Sequence, residues 1–259
     1  MEMLRVVDAS LKYQAENGEV EAFSQISFTV PQGQFLSIVG PSGCGKSTLL
    51  SVIAGLLPRA GGEIYVKGER VRGISPHIGY MLQRDNLLEW RTIWHNVLFG
   101  LEVRGRVNAA ACARAEQLLK TYGLYEFRDK YPRQLSGGMR QRVALIRTLA
   151  TGPDLLLLDE AFSALDYQTR LSVTDDVYRI LKAEHVTMLM VTHDIPESIS
   201  MGDAVLILSA RPACVKELMP IEFGAERTPL SCRSDARFSH YFDHIWKELR
   251  ADEANTNGN

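Results

Sequence analysis

The sequence predicts an α/β fold: a mixed-sheet core, an antiparallel β subdomain ahead of it and an inserted α-helical subdomain. Three patterns carry that expectation. Short, largely apolar runs at residues 35–39, 155–158 and 186–192 have the length and two-sided hydrophobicity of buried parallel strands. Residues 4–30 instead alternate apolar and polar about a turn at Glu16-Asn17-Gly18-Glu19, as antiparallel strands with one wet face do. Between these, residues 108–122 and 137–149 have helical spacing with a cap at the start and a glycine stop after the end, and they place helices within about 88–152.

Composition narrows the class. The 259 residues, 46% hydrophobic and 23% charged, suit an ordinary globular chain able to bury a sizeable core. A formal charge of -2 gives no electrostatic footprint for nucleic acid, so no nucleic-acid partner is expected. Cys44, Cys112, Cys214 and Cys232 lie far apart and form no C-x-x-C pair, which fits a reducing cytoplasm without a disulfide framework. The first residues lack the basic start and apolar run of a signal peptide, and no apolar stretch approaches the ~18 residues of a membrane span. Any membrane role is expected through a partner chain.

In chain order, the first chemical feature is Tyr13, near the first turn, where an aromatic could stack on a purine base; an exposed strand tyrosine needs no such role. Next, Gly40-Pro41-Ser42-Gly43-Cys44-Gly45-Lys46-Ser47-Thr48 matches G-x-x-x-x-G-K-[ST] without departure, between the strand at 35–39 and a helical pattern over 48–53. Its glycines let successive N–H groups face one anion, and the following helix adds the positive end of its dipole. Lys46 is expected to reach the β- and γ-phosphates, and Ser47 to hold Mg2+ through its hydroxyl. Cys44, close to a helix N-terminus, is expected to carry a thiol of lowered pKa.

A short strand pair through Val71, turning at Val66-Lys67-Gly68-Glu69, reads as structural, and residues 78–83 form a strand ending in the amide of Gln83. Residues 86–97 hold Leu87, Trp90 and Trp94 among charges, which suits either core or a partner-docking surface. Leu135-Ser136-Gly137-Gly138-Met139 opens a helix: Ser136 suits a cap, and the glycines also suit a phosphate approaching the N–H groups. Leu155-Leu156-Leu157-Leu158 delivers Asp159 and Glu160 at the carboxyl end of a parallel strand, where such sheets bind ligands. Neighbouring strand residues point to opposite sides, so Asp159 suits a metal and Glu160 a base that orients water. Asp166 caps a helix to about residue 184, and His193 stands at the end of the next strand, a surface polar residue or a member of the same site. A short helix from Asp194 stops at Gly202, and residues 205–208 add a strand. Residues 237–250 place Phe238, Tyr241, Phe242, Ile245, Trp246 and Leu249 on one helical face, expected to dock on their own domain, while 251–259 are expected to be unstructured.

Together these motifs resemble the nucleotide-binding subunit of ATP-binding cassette transporters, over nearly the whole chain. The carriers are the phosphate loop at 40–48, Gln83 after a strand, Leu135-Ser136-Gly137-Gly138, the strand ending in Asp159-Glu160, Ser163-Ala164-Leu165-Asp166, and His193, all at family-like spacing. The resemblance implies a P-loop NTPase core of the RecA-like kind over residues 1–235 and a C-terminal helix and tail over 236–259, with ATP and Mg2+ as cofactors. It also implies roles: Tyr13 stacking on adenine, Gln83 touching Mg2+ or the attacking water, Asp159 with Ser47 at the metal, Glu160 as catalytic base, and His193 at the γ-phosphate. Ser136, Gly137 and Gly138 would grip ATP bound to another subunit, and Asp166 would lie in a loop crossing that interface. Met139 departs from the glutamine of many cassettes.

The implied partners are a second copy or a paired second cassette subunit, integral-membrane permease subunits received near Leu87, Trp90 and Trp94, and indirectly an extracytoplasmic solute-binding protein. The implied location is the cytoplasmic face of the cell membrane. The form of residues 85–105 and 135–139 most resembles bacterial importers of nitrate, sulfonate and taurine. Two rivals differ in kind. A soluble cassette ATPase of DNA repair or translation usually carries two cassettes or a long coiled-coil or other insertion, and a small-molecule kinase would leave Ser136 and His193 unexplained.

Overall fold

Two long strands, β1 (Glu2–Ala15) and β2 (Gly18–Pro31), pair antiparallel in the computed structural model, which describes residues 1–15, 18–224 and 226–256. Glu16 and Asn17, half of the expected turn, lie outside the described residues. The alternation has the expected effect: Ile26, Phe28 and Val30 are buried while Gln25, Ser27 and Thr29 face solvent. After β3 (Phe35–Val39) and α1 (Lys46–Ile53), β4 (Gly61–Val66) and β5 (Glu69–Arg70) extend the first sheet in the order β2-β1-β4-β5. Lys67 and Gly68, both at positive φ, make the tight turn between them.

The second sheet holds β3, β6 (Ile78–Met81), β7 (Leu155–Asp159), β8 (Thr187–Val191), β9 (Ala204–Leu208) and β10 (Val215–Pro220), in the order β10-β9-β3-β8-β7-β6 among the described residues. All its neighbours run parallel except β10, antiparallel to β9 and not anticipated from the sequence. Every residue of β3, β7 and β8 is buried, as strands covered on both faces must be. Each side chain of Leu155–Leu158 contributes about 1.5–3 kcal/mol by leaving water. In register, Ile38 and Asp159 both pair with Val191, so the loops after β3, β7 and β8 leave the sheet at one level. β6 ends two residues before Gln83, which therefore sits on a loop.

Helices cover the faces. α2 (Ile93–Val103), α3 (Ala109–Thr121), α4 (Gly137–Leu149) and α5 (Tyr167–Ala183) share one apolar cluster with Met81, Leu156 and Met188. Asn108 accepts a hydrogen bond from the Ala111 N–H, the expected cap of α3. α2 is a correction: the stretch with two tryptophans contains a helix capped by Thr92, with Ile93, Val97, Leu98 and Leu101 buried on one face. Leu87 is 6% exposed and lies in this core rather than on a docking surface. Trp94 packs partly against the same core, whereas Trp90 is 76% exposed. α6 (Ile195–Met201), β9 and α8 (Arg237–Thr256) enclose a smaller cluster centred on Ile199, Ile207 and Ile245, with the four-residue α7 (Pro229–Cys232) between. Phe238, Tyr241, Phe242 and Leu249 join that cluster, while Trp246 stays half exposed. α8 continues through Thr256 where an unstructured tail is expected. Ala251 and Ala254 are strong helix formers, and extending a formed helix costs little. Residues 257–259 lie outside the described residues.

Candidate functional site

The loop from Gly40 to Gly45 turns β3 into α1. Gly43 and Gly45 take φ of 73° and 110°, the left-handed region open to glycine. Lys46 is 7% exposed, and its Nζ donates to the carbonyls of Gly40 at 2.8 Å and Pro41 at 3.0 Å, so the ammonium closes the loop on itself. Tyr13 Oη donates to Thr48 Oγ1 at 3.3 Å, which brings the first sheet to the end of the loop. Cys44 is the correction here. Its thiol faces the core, where a Cβ on Gly40 would stand 2.9 Å from Sγ, and burial pushes its pKa up against the lowering effect of Lys46. Only its backbone belongs to the loop's surface.

The carboxyl ends of the neighbouring strands supply the rest. Ser47 Oγ donates to Asp159 Oδ1 at 2.7 Å, and Tyr80 Oη donates to Asp159 Oδ2 at 3.1 Å. Burial first, and then the Asp159 carboxylate, push the Tyr80 phenol up to about 12. Glu160 leaves the strand with φ of 46°, so a left-handed turn, rather than strand alternation, separates its direction from that of Asp159. Glu160 Oε2 lies 3.1 Å from His193 Nδ1 and 3.5 Å from Gln83 Nε2, which also donates to Ser163 Oγ at 3.2 Å. Gln83 thus stands with Glu160, and no hydrogen bond joins it to Ser47 or Asp159 among the described residues.

A cleft of about 540 Å³ opens over the loop, lined by Ser42, Gly43, Gly45, Lys46, Ser47 and Thr48 on one side and Glu160 and His193 on the other. Arg211 also lines it, and sequence reasoning missed this residue. Its guanidinium donates to the Gly43 carbonyl at 2.6 Å across a gap of 168 positions. The available signal was a cation three residues beyond the buried strand β9, which sheet order makes the neighbour of β3.

Ser47 and Asp159 offer a hydroxyl and a carboxylate at one point. Two hard oxygen donors fit an ion such as Mg2+ that takes its other ligands from water and phosphate. Among the described residues no group of three or more His, Cys, Asp or Glu side chains forms a closed metal cage.

The cleft lining includes neither Ser136, Gly137 and Gly138 nor Asp166. Ser136 caps α4, its Oγ accepting from the Met139 N–H at 3.3 Å, and Asp166 caps α5, accepting from the Thr169 N–H at 3.1 Å. Gly138 has a packing reason to be small, since a Cβ there would meet Val173 at 3.0 Å and Thr169 at 3.2 Å. α4 is nonetheless tied along its length to the loop that follows Gln83. Arg140 grips the Asp85 carboxylate at 2.8 and 3.1 Å, and Arg147 donates to the carbonyls of Asp85 and Asn86. Burial is the largest single influence and raises the Asp85 pKa, but the Arg140 hydrogen bonds, the Leu87 N–H and the charges of Arg140 and Arg147 together hold the carboxyl below its ordinary value. Arg170 ties the other pair of loops, donating to Asp194 at 3.0 Å and to the Leu165 carbonyl at 3.0 Å.

The chain is similar to known proteins. A family model described as ABC transporter matches residues 23–163. A taurine import ATP-binding protein, TauB, of Rhizobium johnstonii is 38% identical over 96% of this chain and 95% of its own length. A nitrate import ATP-binding protein, NrtD, of Synechocystis is 37% identical over 96% of each. Among solved structures, the ATP-binding cassette MJ0796, as a dimer in a post-hydrolysis state bound to ADP and Pi, superposes with a TM-score of 0.72 at 28% identity, covering 86% of this chain and all of the other.

Proposed function

The chain belongs to the ABC transporter family, and from that premise we propose that it is the ATP-hydrolysing subunit of an importer for a small solute such as nitrate, sulfonate or taurine. The observation that carries the reading is the convergence of Lys46, Ser47, Glu160 and His193 on the cleft over the phosphate loop, with Asp159 hydrogen-bonded to Ser47 behind it.

The residues divide the work. The loop amides and the start of α1 bind the phosphates, and Lys46 turns from its own carbonyls to the β- and γ-oxygens. Ser47 and Asp159 would hold Mg2+, which supplies charge neutralisation on the phosphate chain. Glu160 accepts the proton of an attacking water, with Gln83 beside it to fix that water's position and His193 to contact the γ-phosphate. Tyr13 gives adenine an aromatic face, its hydroxyl already resting on Thr48.

Ser136, Gly137 and Gly138 open a helix away from their own chain's cleft, so a second copy or a paired second cassette brings them to ATP, with Asp166 in the loop between the two. The dimeric cassette with which the chain superposes supports that reading. No helix of the described residues is long and apolar enough to cross a membrane; family membership and the import subunits among the relatives support a place at the cytoplasmic face of the cell membrane, working through permease subunits. Trp90 is the residue of the 87–94 segment best exposed to receive them, and a solute-binding protein on the far side completes the system. The rival soluble cassettes gain nothing from relatives that are import subunits over nearly their full length.

The test is Glu160→Gln. Loss of the base lowers turnover about 10²–10⁴-fold, ATP still binds, and sizing chromatography with ATP shows a trapped dimer. Normal turnover, or a variant monomeric in ATP, refutes the assignment.

A further inference from the structure

We propose that Arg211 is a ligand of the nucleotide's phosphate chain, a second cation beside Lys46 that reads nucleoside di- and triphosphates; this rests on the ATP-binding reading above. None of the motifs that carry the family resemblance includes it. Four observations converge on this residue. Its side chain lines the same cleft as Lys46 and Ser47. The guanidinium is anchored at 2.6 Å to the carbonyl of Gly43, inside the phosphate loop itself. Sheet order puts the loop after β9 beside the loop after β3, the two strands pairing from Leu36–Ala204 to Val39–Ile207. Finally, the base of the Arg211 loop is fixed from two sides. Ala213 exchanges backbone hydrogen bonds with Ala22 at 3.1 Å and Ser24 at 2.9 Å of β2, and Ser209 N donates to the Cys214 carbonyl at 3.0 Å.

An exposed arginine ordinarily gives up much rotamer freedom when it binds an anion. Here the bond to Gly43 and the braced loop have already removed part of that freedom, so an arriving phosphate meets a pre-placed fork of N–H donors. A guanidinium carries five such donors and the Gly43 carbonyl takes one. Its geometry suits two phosphate oxygens at once, which a single ammonium does not match.

The test separates charge from the fork. Arg211→Gln removes the charge, and its shorter side chain also gives up the bond to the Gly43 carbonyl, while Arg211→Lys keeps charge without the fork. Affinities of the full chain for ADP and for a non-hydrolysable ATP analogue are measured by titration calorimetry, and melting temperature without nucleotide is measured beside them. The expected result is an about tenfold loss for Arg211→Gln with both nucleotides, equivalent to about 1.4 kcal/mol, a smaller loss for Arg211→Lys, and nucleotide-free melting within about 2 °C of the parent. Parent-like affinity in Arg211→Gln, or a loss matched by a lower nucleotide-free melting temperature, overturns the proposal and leaves the ATP reading intact. Failure of the parent chain to bind either nucleotide overturns both.

Discussion

Glu197→Gln tests the buried electrostatics next to the His193 turn. Glu197 is 3% exposed, and burial pushes its carboxyl up to about 7, with the Asp194 charge adding to the rise and a hydrogen bond from Thr192 and the charges of Arg170 and Arg233 opposing it. Its Oε1 has no hydrogen-bond partner among the described residues, as suits a carboxyl held neutral. Between the ordinary value of 4.5 and about 7 the folded chain holds a proton that the unfolded chain releases. The stabilisation is therefore complete below pH 4.5 and is lost as pH rises through 7. A gap of about 2.5 pH units at about 1.4 kcal/mol each gives about 3 kcal/mol, or about 6–12 °C in melting temperature for a chain of this size. Glutamine copies the neutral acid and does not titrate. Urea unfolding of both proteins from pH 5 to 8 should show them equal near pH 5 and the variant more stable by up to about 3 kcal/mol at pH 8. Parallel profiles across that range would refute the reasoning.

Cys44, 1% exposed with a raised thiol pKa, should resist alkylation at pH 7 at least about 100-fold longer than the exposed Cys214; mass spectrometry after timed labelling checks it, and comparable rates would place the thiol at the surface. Trp90→Ala should leave stability within about 0.5 kcal/mol and ATP affinity unchanged while weakening co-purification with permease. Trp94→Ala, which removes packing on the core, should instead lower stability by about 2 kcal/mol. The opposite assignment of the two effects would exchange their roles.

Much of the site is readable because its parts are local. A strand, a glycine loop and a helix announce themselves within one short continuous stretch, as at 35–53, and the same holds for Ser136 before α4 and for the two acids after Leu158. What was not readable depends on the third dimension. Arg211 acquires meaning only when sheet order sets β9 against β3. Cys44 looked like a helix-end thiol, yet the loop's curvature turns it into the core. Glu160 was assigned its direction by strand alternation, which its left-handed backbone does not follow. The helix of Ile93 was hidden because Trp94 and the preceding Trp90 read as a surface, though the Thr92 cap and the i, i+4, i+8 spacing of Ile93, Val97 and Leu101 were available. β10 is an edge strand whose burial is incomplete, so its pattern is weak.

The order of strands also has a consequence for biosynthesis. β3 carries the phosphate loop, yet its two sheet neighbours are β8 and β9, which leave the ribosome last among the parallel strands. A nascent chain ending before Thr187 already contains the complete loop sequence, but the five largely apolar residues of β3, Ser37 the exception, have both edges open and nothing to pair with. During that interval the strand is a sticky template exposed to other chains, and closing it requires a contact of high sequence separation, the slow kind. The sheet that carries the nucleotide pocket is thus completed only after β8 and β9 have been made, and stabilisation of the fold by bound ATP through mass action waits for a chain made through Leu208.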